Sequence, residues 1–141
     1  MRIQFFIVAF LLAVQPVTTS NQAIRIAGKL LCSGKSITGR VHLKSGSNFL
    51  TRGTLKDVRT EPDGRFELSW SSRWFNWPVA EPKLSIYTDC VVKECRRESK
   101  FPLSESNFTS GTEAQLIDLG DIEIRALRWV RYCNYEKGDL T

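Results

Sequence analysis

Apolar residues recur at every second position in a series of short runs separated by turn-forming residues, the two-residue period of half-buried strands. Ile24, Ile26, Leu30 and Cys32 share one face of a first predicted strand that ends at Cys32-Ser33-Gly34-Lys35. Val41 and Leu43 then alternate with Arg40, His42 and Lys44, so His42 is expected on a solvent-facing side of its strand. A third run, Thr54 to Thr60, stops at Glu61-Pro62-Asp63-Gly64. There Pro62 can fix the first turn position and Gly64 supplies freedom after Asp63, which reads as a hairpin corner. Phe66, Leu68 and Trp70 follow on one face, with Arg65 and Glu67 on the other. Leu84 and Ile86 repeat the pattern before Cys90, Cys95 opens a more polar strand ending near Pro102, and Ile122 and Ile124 mark the last. Seven short strands over about a hundred residues predict an all-β, immunoglobulin-like two-sheet sandwich. No long amphipathic helix, internal repeat or low-complexity linker interrupts the pattern.

One segment breaks the strand period. Behind Arg2 an unbroken apolar run extends from Phe5 to Val14, followed by the small residues Thr18, Thr19 and Ser20. This reads as a secretory signal over residues 1–20, with cleavage after Ala23 as the alternative, leaving residues 21–141 as the sandwich domain. The run is too short for the roughly 20 residues of a membrane-spanning helix, so no transmembrane anchor is expected and the chain is expected to be secreted and extracellular. Of 20 Lys and Arg, the signal removes only Arg2, and 19 against 15 Asp and Glu leaves a moderately basic domain of net charge +4. Those cations are interspersed with acids in an exported chain, which argues against nucleic acid as a partner.

Export also changes how the cysteines read. Cys32, Cys90, Cys95 and Cys133 form an even set, and in an oxidising compartment they imply two disulfides, with three connectivities open. Zinc is the poor alternative, because the only histidine, His42, is far in sequence from any cysteine pair and the spacing matches no common site. His42 could act as a base, but no short motif sets a Ser or Cys beside it. No catalytic residue, metal or cofactor is therefore expected.

Binding chemistry is better represented. Trp70 to Pro78 concentrates Trp70, Trp74, Trp77 and Phe75, and Arg73, Trp74, Phe75 and Trp77 lie in a stretch without strand alternation. The tail sets Arg125, Arg128 and Arg131 at intervals of three among Trp129, Tyr132 and Tyr135. Arg73, Trp74, Phe75, Trp77, Arg128, Trp129 and Arg131 are the candidate contact residues, since large apolar groups exposed beside cations mark partner or membrane contact. The bland reading is that Trp70 points into the core and the tail aromatics cover an open end of the sandwich. Two partner classes follow: an extracellular protein or cell-surface receptor, or alternatively an anionic lipid or small hydrophobic ligand. Asn107-Phe108-Thr109 is the only glycosylation sequon and makes Asn107 a candidate acceptor in an exposed Ser-rich loop.

The ordered set "IAGKLLCSGK", "TEPDGRFEL", "EPKLSIYTDC", "ECRR" and "LGDIEI", with all four cysteines, resembles the secreted transthyretin-like proteins of nematodes across nearly the whole domain. The resemblance implies a seven-stranded transthyretin-like, or prealbumin-like, β-sandwich with no chemistry common to the family. Thr88 stands where members usually carry His, so a role resting on that His is not expected. Hydroxyisourate hydrolases are similar in fold but use several histidines and a C-terminal Tyr-Arg-Gly-Ser end, whereas this chain ends "NYEKGDLT". The hormone channel of transthyretin itself is not expected either, because Val91 to Glu94 leaves no room for the helix that follows its fifth strand. Sequence proximity favours a Cys90–Cys95 bridge. The family fold, in which the first strand and a late strand share a sheet, then implies Cys32–Cys133.

Overall fold

The structure, a computed structural model, describes residues 22–46, 53–72, 81–92, 94–110 and 114–133. The signal segment 1–20 lies outside them. In chain order the strands are β1 (Gln22–Cys32), β2 (Lys35–Ser36), β3 (Arg40–Ser45), β4 (Gly53–Arg59), β5 (Arg65–Ser71), β6 (Lys83–Thr88), β7 (Arg96–Pro102), β8 (Thr109–Ser110), β9 (Leu116–Glu123) and β10 (Arg128–Tyr132). Single 3₁₀ turns at Glu105–Asn107 and Ile124–Ala126 are the only helical elements among the described residues. The seven expected strands are β1, β3 to β7 and β9. The sequence pattern did not show the two-residue strands β2 and β8, nor β10.

Two five-stranded sheets face each other. In the first, β1 is central, with β5 and β2 along one side and β8 and β9 along the other. The β1–β9 pairing is parallel, with a register shift between Ala27 and Lys29. The second sheet runs β10-β7-β6-β3-β4, antiparallel throughout. The alternating residues supply the core: Ile24, Ile26, Leu30, Phe66, Leu68 and Ile122 from the first sheet pack against Val41, Leu43, Leu84 and Ile86 from the second. Each such burial contributes about 1.5–3 kcal/mol. Trp70 is half-buried against this core, as the bland reading of it expected, with its ring edge-on to Phe108 at 6.1 Å.

The corner at Glu61–Gly64 is a turn, but not a hairpin: β4 pairs within the second sheet and β5 within the first, so the turn carries the chain between layers. Gly64 adopts φ +86°, donates to Glu61 O at 2.9 Å and accepts from Leu30 N–H at 2.9 Å. An added Cβ would lie 2.9 Å from Leu30 O and 3.0 Å from Ile37 O, so the crossing requires glycine.

The disulfide pairing differs from both expected bridges. Cys32 is bonded to Cys90 and Cys95 to Cys133. Cys90 is fully buried, turned into the core from the loop after β6, where it meets the end of β1 and joins the two sheets. Cys95, at φ +64°, lies just before β7, whose neighbour β10 ends one residue before Cys133. Cys133 does not reach β1 because the late strand beside β1 is β9, while the chain after it passes to the edge of the other sheet.

Candidate binding face

Strand alternation gives the second sheet an outer face, and the registers align its residues in rows across the strands. One row is Asp57, His42, Ser85, Lys100 and Arg128; the next is Arg59, Arg40, Tyr87, Glu98 and Val130. Lys44 stands opposite Lys83, and Arg96 opposite Tyr132. The face therefore carries seven cations (Arg40, Lys44, Arg59, Lys83, Arg96, Lys100 and Arg128) against the carboxylates Asp57 and Glu98. Asp89 at the margin pairs with Arg96 at 3.1 Å. Three cross-strand positions set like charges directly opposite: Arg40 and Arg59, Lys44 and Lys83, Lys100 and Arg128.

A polar cluster occupies the centre. Lys44 Nζ donates to Tyr87 Oη at 2.6 Å, Tyr87 Oη donates to Glu98 Oε1 at 3.3 Å, and the Lys44–Glu98 ion pair closes the triangle at 3.5 Å. Tyr132 packs edge-on to Tyr87 at 5.3 Å, and His42 does so from the other side at 4.8 Å. Burial works to lower the Lys44 pKa, but the bond to Tyr87 and the attraction of Glu98 outweigh it and the pKa is raised. Burial raises the pKa of Tyr87, so its phenol stays a neutral donor.

His42 lies on the outer face, as expected, but is largely covered there: its side chain is 20% exposed and its Nε2 is buried without a hydrogen bond, 4.0 Å from Asp57. Burial, helped by Lys44 and Arg40, lowers its pKa against the pull of Asp57 and Glu98. The structure also places beside it a hydroxyl that no short motif revealed, because Ser85 is its cross-strand neighbour. The row Asp57–His42–Ser85 holds the residue types of a hydrolytic triad. No hydrogen bond joins Ser85 to His42, however, and the Ser85 Oγ is buried and unpartnered at 0% exposure. Acyl transfer requires a nucleophile bonded to its base and open to substrate. Thr88, at the departure from the family pattern, is likewise buried, its Oγ1 accepting from Cys90 N–H at 3.3 Å.

At one end of the face a cavity of about 290 Å³ is lined by Arg40, Arg59 and Arg96, with Asp89, Gly39 and Tyr87 also on its wall. Arginine side chains lining one concavity can hold an anion with forked hydrogen bonds, although here Arg96 is already paired with Asp89. Among the described residues no cluster of three His, Cys, Asp or Glu side chains could hold a metal ion.

The expected contact residues are divided. Arg128 belongs to the basic face, whereas Trp129 and Arg131 point to the opposite side of β10, where the Arg97 guanidinium lies 4.5 Å from the Trp129 ring. Arg97 is buried and reaches Cys90 O and Ile124 O at 3.5 Å. Arg73, Trp74, Phe75 and Trp77 lie outside the described residues. Asn107 ends a 3₁₀ turn and is half-buried, its Oδ1 accepting from Ser104 N–H at 2.8 Å, while Ser104, Glu105 and Ser106 before it are exposed. The basic face itself went unread in the sequence, although the alternation Arg40, His42, Lys44 was its visible trace.

Two facing sheets with a central strand paired parallel to a late strand define a transthyretin-like β-sandwich. The chain belongs to the transthyretin-like family: the family model described as "TTR-52: Transthyretin-like family" matches residues 27–103, more than half of the sequence. No curated protein matches. Among solved structures, a 9R-lipoxygenase from Cyanothece PCC8801 is similar at 15% identity and a TM-score of 0.39, over 79% of this chain and 17% of that one. The chain thus spans about a sixth of that enzyme's length, a likeness too slight to carry an argument.

Proposed function

We propose that the protein is a secreted, non-catalytic binding module that meets an extracellular protein or cell-surface partner through the outer face of its second sheet. The observation that supports this most is the three cross-strand pairs of like charge. Such pairs destabilise a sheet, and an anionic partner would relieve the repulsion. The two disulfides are consistent with an oxidising compartment, and no helix among the described residues is long and apolar enough to cross a membrane. The test is binding of tagged mature protein to intact cell surfaces, comparing wild type with a Lys83→Glu, Lys100→Glu, Arg128→Glu variant. Loss of binding with a melting temperature no lower than that of wild type supports the reading. Full retention overturns it.

The non-catalytic half rests on the enclosed Ser85 and its missing bond to His42. Purified protein is expected neither to hydrolyse 5-hydroxyisourate nor to react with a serine-directed fluorophosphonate. Activity that vanished in His42→Ala would restore an enzyme.

A second reading, contact with anionic lipid or a small hydrophobic ligand, is favoured by β10, where Trp129 and Val130 are 42% and 46% exposed beside Arg128 and Arg131. Anionic vesicles that bound wild type but not Trp129→Ala would support it. Secretion also makes Asn107 our proposed glycan acceptor. Attachment uses the amide nitrogen and leaves Oδ1 free to accept from Ser104, so the turn tolerates the modification. A glycosidase that left the secreted mass unchanged would remove the claim.

A further inference from the structure

We propose that the basic outer face is a binding site for a sulfated polysaccharide, one sulfate of which sits in the cavity lined by Arg40, Arg59 and Arg96. This rests on the reading of that face as the working surface and names its ligand class.

Three features select the ligand. The first is extent. Cations occur on all five strands, across roughly 19 Å at the usual strand spacing, which suits an extended polyanion better than a single small anion. The second is the absence of an anchor. Protein partners are gripped by aromatic or arginine anchors seated in desolvated pockets, and bilayers by apolar groups that insert. On this face Tyr87 is buried and Tyr132 is half-buried against it; of the two exposed large apolar side chains on the described strands of this sheet, Val130 lies on this face and Trp129 on the opposite side of β10. A hydrophilic chain of dense charge needs neither device. The third is the cavity. An arginine fork can donate two parallel hydrogen bonds to a pair of oxygens of a tetrahedral sulfate, and Arg40 and Arg59 line the cavity together with Arg96, which is paired with Asp89.

The neighbouring carboxylates cancel only part of this charge: Glu98 pairs with Lys44 and Asp89 with Arg96, and seven cations against Asp57, Glu98 and Asp89 leave the face with an excess of positive charge. Lys83, Lys100, Arg59 and Arg128 stand farther out on the rim, the last three exposed.

The experiment measures affinity for a fully sulfated heparin oligosaccharide over a range of salt concentrations. Wild type is compared with Arg59→Gln, Lys100→Gln, Arg128→Gln, and with a control triple on the other sheet, Lys29→Gln, Lys35→Gln, Arg65→Gln. Melting temperatures confirm that each folds. Binding should weaken steeply with salt. The face triple should lose about tenfold or more in affinity, as expected for several charge-assisted bonds, and the control triple should match wild type. Arg59→Gln alone should cost more than Lys100→Gln alone, because only Arg59 lines the cavity. Equal losses in the face and control triples would overturn both the ligand and the face. Tighter binding of phosphatidylserine vesicles or polyglutamate than of the oligosaccharide, lost in the face triple, would overturn the polysaccharide and leave the face as the working surface.

Discussion

The two outer faces of the sandwich are built by the same alternation yet handle charge in opposite ways. On the first sheet Arg25 is bridged to Glu67 at 2.6 Å, and Lys29 has Arg65 on one side but Asp121 on the other. Asp118, Asp121 and Glu123 line β9, and an open cavity of about 680 Å³ there is edged by Glu61, Asp63 and Glu67. Charge on that face is balanced locally and leans negative. On the second sheet cations oppose cations at three positions, and the central carboxylate, Glu98, is engaged by the interior cluster. Among the described residues, the excess of positive charge is therefore segregated onto the outer face of the second sheet. A surface that accepts repulsion in the free state gains most from an anion, whereas a self-paired face gains little.

The largest effect should come from separating the faces. Replacing Cys32 and Cys90 by Ala removes the bridge between the sheets, which closes a separation of 58 residues; chain entropy assigns it about 4 kcal/mol. Urea unfolding at constant pH measures that loss. Peptide mapping of unreduced protein should recover Cys32 joined to Cys90 and Cys95 joined to Cys133.

A smaller loss is expected at the centre of the basic face. Tyr87→Phe deprives Lys44 of an acceptor and Glu98 of a donor and should cost about 1 kcal/mol. A change far below that would mean the cluster contributes nothing to the second sheet.

Charge reversal should have the opposite sign on this face. Lys83→Glu replaces repulsion of Lys44 by attraction and should stabilise the fold by roughly 0.2–1 kcal/mol, while weakening binding. Lys29→Glu on the first sheet trades repulsion from Arg65 for repulsion from Asp121 and should be close to neutral. If both substitutions gave the same shift in melting temperature, the contrast between the faces would fail.

The smallest effect is set by His42. Its folded pKa is lowered from the ordinary 6.5, chiefly by burial, with Asp57 and Glu98 opposing and Lys44 and Arg40 assisting. The unfolded chain then binds the proton first as pH falls. The His42 contribution is complete above 6.5 and is lost as pH drops from there toward the folded value. Stability measured between pH 7 and pH 5 should decline, and His42→Leu should flatten the slope.

Much of the fold was legible. Ile24, Ile26, Leu30, Val41, Leu43, Phe66, Leu68, Leu84 and Ile86, read as inward-facing from their period, are all buried. The site was less legible for physical reasons. A cross-strand neighbour is set by register, so nothing local marks Ser85 as the neighbour of His42 or Lys83 as that of Lys44. The Glu61–Gly64 turn has the chemistry of a hairpin, and only the partners of β4 and β5 show that it crosses between layers. β10 was hidden because Arg128, Trp129, Val130 and Arg131 are all exposed and show no inward alternation. With that strand unseen, Cys133 had no visible path to Cys95.

The most direct measurement is lysine footprinting. The mature protein is acetylated with and without a saturating fully sulfated heparin oligosaccharide, and modification is quantified at each lysine. The expected result is strong protection of Lys83 and Lys100 on the second sheet, with Lys29 and Lys35 on the first unchanged. Protection of Lys29 and Lys35 with Lys83 and Lys100 left reactive would contradict the assignment of binding to the basic face.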